Sequence, residues 1–135
     1  MPQLPELSIC IANYNGAEIL ERCIQSALSQ VTDFEFEVLI FDDASQDESA
    51  ALIGAKFPEL RAILSDKNVG FSRASNSLAK IAEGEFLLFL NNDAFLEPDA
   101  LQQLWMESRH TQGILSLRQI DDQTGEEIDL GMGLD

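Results

Sequence analysis

The sequence predicts an α/β domain, a three-layer sandwich in which helices cover both faces of a mainly parallel sheet. Apolar runs of strand length alternate with helical segments along the chain, which is typical of β-then-α units joined by crossovers. Most of the strand-like runs end in polar residues. The 135 residues, 45% of them hydrophobic, match one ordinary domain, so we predict a single domain over residues 1–135.

Four strands and four helices are predicted from the apolar periodicity. The strands are expected at residues 7–12, 36–41, 61–64 and 85–90, and the helices at about 15–28, 45–56, 71–82 and after 97. Asn15 with Glu18, and Ser45 with Glu48, have the spacing of a capping box and predict two of the helix starts. A further strand is expected at 113–120, followed by a turn at 121–125 and a last short strand.

Charge and composition exclude several classes of protein. Twenty-four acidic residues against eight basic ones give a net charge of −16, which argues against nucleic-acid binding and adhesion to anionic lipid. The longest apolar run, 86–90, is too short for a transmembrane segment, and the first residues lack the pattern of a secretory signal. Cys10 and Cys23 match no zinc spacing, so we expect a reduced, cytoplasmic protein.

Polar side chains follow each predicted strand, at 13–15, 42–43, 65–68 and 91–93. Carboxyl ends of parallel strands meet at one edge of a sheet, and ligands bind there near a switch in strand order. We therefore expect these residues to surround one cleft.

Among these residues, the carboxylates have two interpretations each. Asp93 directly follows an apolar strand, where it either holds a hard cation such as Mg²⁺ or Mn²⁺ or caps a turn. Asp42 and Asp43 also follow an apolar strand. Either one of them accepts hydrogen bonds from a nucleobase, or both belong to an acidic loop that is attracted by the dipole of the next helix.

Tyr14 and Arg73 are the remaining candidates. Tyr14, the single tyrosine, either stacks on a ring or covers the edge of the core. Arg73 lies in the first turn of a helix, where a positive charge interacts unfavourably with the helix dipole. It therefore either pairs with a phosphate or with Asp42, or it forms an ordinary surface salt bridge. His110 is expected to be solvated. No G-x-S-x-G motif, P-loop or dinucleotide glycine motif is present.

Together these segments resemble the amino-terminal half of a family-2 glycosyltransferase of the Rossmann-like GT-A fold. The matching segments are 8–16 (SICIANYNG), 37–47 (EVLIFDDASQD), 68–76 (NVGFSRASN), 84–93 (GEFLLFLNND) and 97–101 (EPDAL). The resemblance covers about residues 7–131. Asn91 replaces the first acid of the family's D-x-D element, as in its rhamnosyltransferase-like branch.

The resemblance also implies roles for individual residues. Asn13 and Tyr14 correspond to the family's base contact, and Asp42 to the acid that reads the base edge. The residues that correspond to the part closing over ribose and diphosphate are Asn68, Gly70, Arg73 and Asn76. Asn91, Asn92 and Asp93 occupy the place of the metal-binding element, with Asp93 as the main carboxylate.

The implied activity is metal-assisted, inverting transfer of a sugar from a UDP- or dTDP-linked donor to a glycan or lipid-linked acceptor. The implied cofactor is a divalent cation, Mg²⁺ or Mn²⁺. No residue matches the family's catalytic base, which is expected beyond Asp135, so the chain is expected to be a truncated GT-A domain that carries the donor-binding part. Peripheral attachment to the inner face of a membrane, through missing parts or partners, stays open. Two alternatives remain: a catalytically silent sugar-nucleotide-binding module, and a flavodoxin-like phosphoacceptor domain.

Overall fold

Four parallel strands and four helices alternate in this protein. The computed structural model describes residues 4–110, 113–115, 117, 119–121 and 123–126. The elements are β1 (Leu7–Asn13), α1 (Ala17–Leu28), β2 (Phe36–Asp42), α2 (Ser49–Lys56), β3 (Arg61–Leu64), α3 (Phe71–Ile81), β4 (Phe86–Asn91) and α4 (Ala100–Ser108). All three strand pairs are parallel. The predicted α/β architecture is confirmed.

The core has two parts, one on each face of the sheet. Ile9 and Ile11 point to one face and pack with buried residues of α1 such as Ile24. Cys10 points to the other face, where it packs with Leu78 of α3. Because β1 is buried on both faces, it lacks regular polar alternation and appears in the sequence as a mostly apolar run.

The strand order is β3-β2-β1-β4, and the order reverses at β1. Asn13 at the end of β1 lies opposite Asp42 of β2, and Ala12 lies opposite Asn91 of β4. This order differs from the 2-1-3-4-5 order of flavodoxin-like domains, so the phosphoacceptor alternative is wrong. The switch between β1 and β4 is where such sheets bind ligands.

Two helix starts differ from the capping boxes in the sequence. Asn15 and Ser45 do not cap helices: α1 begins at Ala17 and α2 at Ser49, and neither has a side-chain cap from its own N-cap residue. The Asp47 carboxylate instead accepts hydrogen bonds from the N–H of Ala17 (3.0 Å) and of Ser49 (2.9 Å). One carboxylate therefore serves two helix N-termini, which satisfies orphan donors and places negative charge at both dipoles.

The strand expected at 113–120 is wrong for the described residues of that segment. Residues 113–115, 117 and 119 are not in a strand, and Ile120 forms only an isolated bridge. The side chains of Ile114 and Ile120 are exposed, whereas those of Leu115 and Leu117 are half buried. The predicted turn is present: the Gly125 N–H donates to the Asp121 carbonyl (2.8 Å). The last predicted strand lies outside the described residues.

Helix α4 packs on the side of the sheet that carries α1. Leu101 is fully buried, and Trp105 stacks on Phe34 with ring centroids 4.7 Å apart. None of the helices that the structure describes is long and apolar enough to cross a membrane.

Candidate functional site

A buried hydrogen-bond network joins the ends of three chain segments at the switch in strand order. The Asn13 Nδ2 atom donates to Asp42 Oδ1 (3.0 Å), and the Asn92 Nδ2 atom donates to Asn13 Oδ1 (2.8 Å). Asn13 and Asp42 are 1% and 2% exposed. The structure therefore brings three of the predicted site residues into direct contact.

Ser45 extends this network into the loop after β2. Its hydroxyl donates to Asp42 Oδ1 (2.7 Å), and its N–H donates to Asp42 Oδ2 (3.1 Å). The Asn13 amide also lies 3.4 Å from the Ser45 hydroxyl. Both oxygens of the Asp42 carboxylate are therefore engaged within the protein, which offsets the cost of burying the charge.

Asp43 holds the loop that precedes α3. Its carboxylate accepts hydrogen bonds from the N–H of Val69 (2.7 Å) and of Gly70 (2.9 Å), and its carbonyl accepts one from Asn68 Nδ2 (3.1 Å). Gly70 has φ of +93°, which favours glycine. Asn68 and Gly70 are thus fixed next to the end of β2, and a carboxylate lies at the N-terminus of α3.

The other predicted site residues have exposed side chains, and the Tyr14 ring is about half exposed. They are Tyr14, Arg73, Asn76, Asn91 and Asp93. Within the described part of the chain, none of these side chains forms a hydrogen bond or ion pair. The possible Arg73–Asp42 pair is not formed, since the Asp42 carboxylate is engaged by Asn13 and Ser45.

Asp93 is suited to hold a cation only with help from oxygens of a ligand. No group of three or more His, Cys, Asp or Glu side chains that could hold a metal ion occurs among the described residues. The Asp93 carboxylate is nevertheless exposed, and Mg²⁺ commonly binds one or two carboxylates together with substrate phosphates. Burial raises the pKa of the Cys23 thiol to about 12, and the nearby Asp93 charge adds to this rise. The Cys23 thiol therefore keeps its proton at neutral pH.

Gly16 allows the network to form. A Cβ at this position would clash with the Asn92 amide and would lie 2.5 Å from Asn13 Oδ1. The start of α1 therefore approaches the network closely because residue 16 has no side chain.

Sequence reasoning missed the roles of Ser45, Asp43 and Asp47. Ser45 follows Asp42 by three positions, and this spacing is typical of a side-chain-bonded turn after a strand. The spacing of Ser45 and Glu48 instead predicts a capping box. Nothing local indicates that Asp43 bonds a loop 26 and 27 positions away.

Comparison with known proteins shows which family the sequence matches. Residues 8–128 match the family described as Glycosyl transferase family 2. A chondroitin synthase from Escherichia coli is 38% identical over 105 residues, which are 76% of this chain and 15% of that protein. The succinoglycan biosynthesis protein ExoO from Rhizobium meliloti is 34% identical over 103 residues, 76% of this chain and 29% of that protein. The chain thus spans less than a third of these relatives.

Solved structures give the same result. S. aureus TarS 1–349 in complex with UDP has a TM-score of 0.68 and 25% identity, covering 78% of this chain and 32% of that one. The same protein in complex with UDP-GlcNAc has a TM-score of 0.67 and 26% identity, over 78% and 31%. The GT-A fold expected from the sequence is confirmed by this likeness.

Proposed function

Because this chain belongs to glycosyl transferase family 2, we propose that it binds a nucleotide-diphosphate sugar and forms the donor side of a metal-assisted, inverting glycosyltransferase. The observation that carries the proposal is the network of Asn13, Asp42 and Asn92 at the strand-order switch. This network supports a site whose edge is formed before a ligand binds. The similar S. aureus TarS 1–349 has solved structures in complex with UDP and with UDP-GlcNAc. The proposed acceptor is a glycan or a lipid-linked acceptor.

The base of the nucleotide is assigned to the end of β1 and β2. Tyr14 is half exposed, so its ring face is available for stacking on uracil or thymine. A carboxylate has about four acceptor positions, and Asn13 and Ser45 use three of those on Asp42. The remaining position is assigned to an N–H of the base, and Asn13 holds the carboxylate in place.

The ribose and diphosphate are assigned to the loop before α3 and to its exposed face. Asp43 fixes Asn68 and Gly70, so the loop is ordered before a ligand arrives. Arg73 lies in the first turn of α3 and is exposed, and it supplies positive charge for the diphosphate. Asn76 lies one turn further along the same helix and donates to the ribose.

The divalent cation is assigned to Asp93, and the adjacent Asn91 and Asn92 are assigned to the nucleotide. Asp93 would hold Mg²⁺ or Mn²⁺ there, and the ion would supply positive charge against the negative charge of the diphosphate. The Asn92 amide donates to Asn13, which leaves its Oδ1 atom for the nucleotide. Since the chain has a charge of −16, a cation also reduces the repulsion of an anionic donor.

The proposed function is tested by calorimetric titration of UDP and dTDP with and without Mn²⁺. UDP is expected to bind more tightly with Mn²⁺, and Asp93→Ala is expected to lower that affinity about tenfold. Asp33→Ala makes the same change at the opposite end of the sheet and serves as the matched control. Absence of nucleotide binding to the wild-type chain would reject the proposal, and unchanged affinity of Asp93→Ala would remove Asp93 from the site.

Asp42→Asn separates base recognition from diphosphate binding while preserving side-chain shape. Its affinity for UDP is expected to fall more than its affinity for pyrophosphate, because only the nucleotide presents a base. Equal losses for both ligands would contradict the role given to Asp42. Release of free sugar from UDP-GlcNAc distinguishes a hydrolytically competent site from a silent sugar-nucleotide-binding module.

A further inference from the structure

We propose that Ser45 is a positioning residue that fixes the loop carrying Tyr14, and thereby sets the orientation in which the Tyr14 ring meets a nucleobase. This inference rests on the proposed function for its consequence in binding. Its structural part concerns the loop alone and is testable without any nucleotide.

Ser45 connects the two loops that follow β1 and β2. Its hydroxyl donates to Asp42 Oδ1 (2.7 Å) and accepts a hydrogen bond from the backbone N–H of Asn15 (2.9 Å). The first bond fixes the rotamer of Ser45, and the second fixes the backbone immediately after Tyr14. One hydroxyl therefore ties the tyrosine loop to the buried carboxylate.

Two further bonds attach the same loop on its far side. The N–H of Gln46 donates to Asn15 Oδ1 (2.7 Å), and the N–H of Ala17 donates to Asp47 Oδ2 (3.0 Å). The carbonyl of Asn13 also accepts a hydrogen bond from the Asp43 N–H (2.8 Å). Tyr14 thus lies on a segment that the β2–α2 loop holds from both ends.

The backbone of this segment turns at the residue that donates to Ser45. Asn15 has φ of +53°, in the left-handed region that asparagine adopts more readily than most non-glycine residues, and its N–H is the donor to Ser45. In the described residues, the Tyr14 side chain has no hydrogen-bond partner of its own, so its orientation depends on the backbone that carries it. Loss of the Ser45 hydroxyl removes the acceptor for Asn15, and the ring then samples more orientations. A ligand that stacks on the ring must pay for ordering it.

The single tyrosine gives a direct measurement. In a chain with ring-¹³C-labelled tyrosine, the NMR spectrum contains the signals of Tyr14 only. Ser45→Ala is expected to shift and broaden these signals in the free protein, and to lower UDP affinity about fivefold. Pyrophosphate affinity is expected to stay within about twofold. Ser45→Thr keeps the hydroxyl and is expected to restore both the spectrum and the affinity ratio.

Ser108→Ala is the matched control for this experiment. Ser108 lies in α4, and its hydroxyl donates to the Trp105 carbonyl (2.7 Å), next to Phe34 at the other end of the sheet. The control is expected to leave the Tyr14 signals and the UDP affinity unchanged. If it shifts the Tyr14 signals as much as Ser45→Ala does, the specific role of Ser45 is overturned.

Amide hydrogen exchange in the wild-type chain tests the same inference if Ser45→Ala does not fold. The Asn15 N–H is expected to exchange slowly because it donates to the Ser45 hydroxyl, although Asn15 itself is exposed. Exchange of this amide at the rate of an unprotected amide would overturn the proposal. Failure of the wild-type chain to bind UDP would reject the proposed function, whereas the free-protein spectra would still decide whether Ser45 fixes the loop.

Discussion

Asn92 donates a side-chain hydrogen bond of 2.8 Å to Asn13, although 79 positions separate them in the sequence. The bond joins the turn after β4 to the end of β1, where the strand order reverses. It therefore connects the part of the site assigned to the metal with the part assigned to the base, through Asn13 and Asp42.

Asn92→Ala is expected to lower the free energy of unfolding by about 1 kcal/mol, because the buried Asn13 Oδ1 atom loses its donor. Urea denaturation followed by Trp105 fluorescence measures this change. Asn91→Ala is the control: Asn91 is adjacent and exposed, and its removal is expected to change stability by less than about 0.5 kcal/mol. Equal effects of the two variants would show that the Asn92–Asn13 bond contributes nothing specific.

Gly16→Ala is expected to disrupt the network, since the added Cβ would clash with the Asn92 amide and lie 2.5 Å from Asn13 Oδ1. We expect a loss of about 2 kcal/mol or more in thermal unfolding. Gly54→Ala provides the opposite case, because Gly54 lies within α2 and a Cβ there meets nothing within 4 Å. That variant is expected to be more stable by about 1 kcal/mol. A stable Gly16→Ala protein would contradict the close approach.

The order and type of the four strands and helices were predictable from the sequence, because their apolar patterns are local. β3 (Arg61–Leu64) lies where it was expected, and the apolar run before Asn91 is indeed a strand. The position of the site was predictable because, in a parallel sheet, the residues that follow the strands meet at one edge.

The orientation of individual polar side chains was not predictable. Asn13 and Asp42 have the appearance of ligand contacts in the sequence, yet each is the hydrogen-bond partner of the other at a separation of 29 positions. Similarly, Ser45 has the local pattern of a helix cap, but a longer-range bond from Asn15 uses its hydroxyl. Capping rules consider only neighbours along the chain, whereas the hydrogen bonds of these side chains connect the loops that follow β1 and β2.

Glu37 is expected to make stability depend on acid pH. Burial alone raises the pKa of this carboxyl, but hydrogen bonds from Ser8 (2.6 Å) and the Glu83 N–H (2.7 Å), together with Arg61 (3.0 Å), hold the pKa below its ordinary value of 4.5. The folded state therefore favours the charged form. The stabilisation is fully present above about pH 4.5 and is lost as the pH falls through the lowered pKa.

Glu37→Gln tests this dependence by chemical denaturation between pH 7 and pH 3. At pH 7 the variant is expected to be less stable by about 1 kcal/mol, mainly through loss of charge-assisted hydrogen bonds. The free energies of unfolding of the two proteins are expected to differ by a constant amount between pH 7 and pH 5.5 and to converge below pH 4.5. A constant difference down to pH 3 would show that ionisation of Glu37 does not contribute.

Ala44→Gly is expected to stabilise the protein by about 0.5–1 kcal/mol. Ala44 lies between Asp43 and Ser45 with φ of +59°, a left-handed conformation in which its Cβ is strained and glycine is not. Ala51→Gly is the matched control, since Ala51 is exposed within α2 and glycine there is expected to destabilise by about 1 kcal/mol. Thermal unfolding of both variants measures the two signs. If Ala44→Gly is instead destabilised like Ala51→Gly, the flexibility that glycine adds to the unfolded chain outweighs the strain, and the left-handed turn is not a significant cost to the fold.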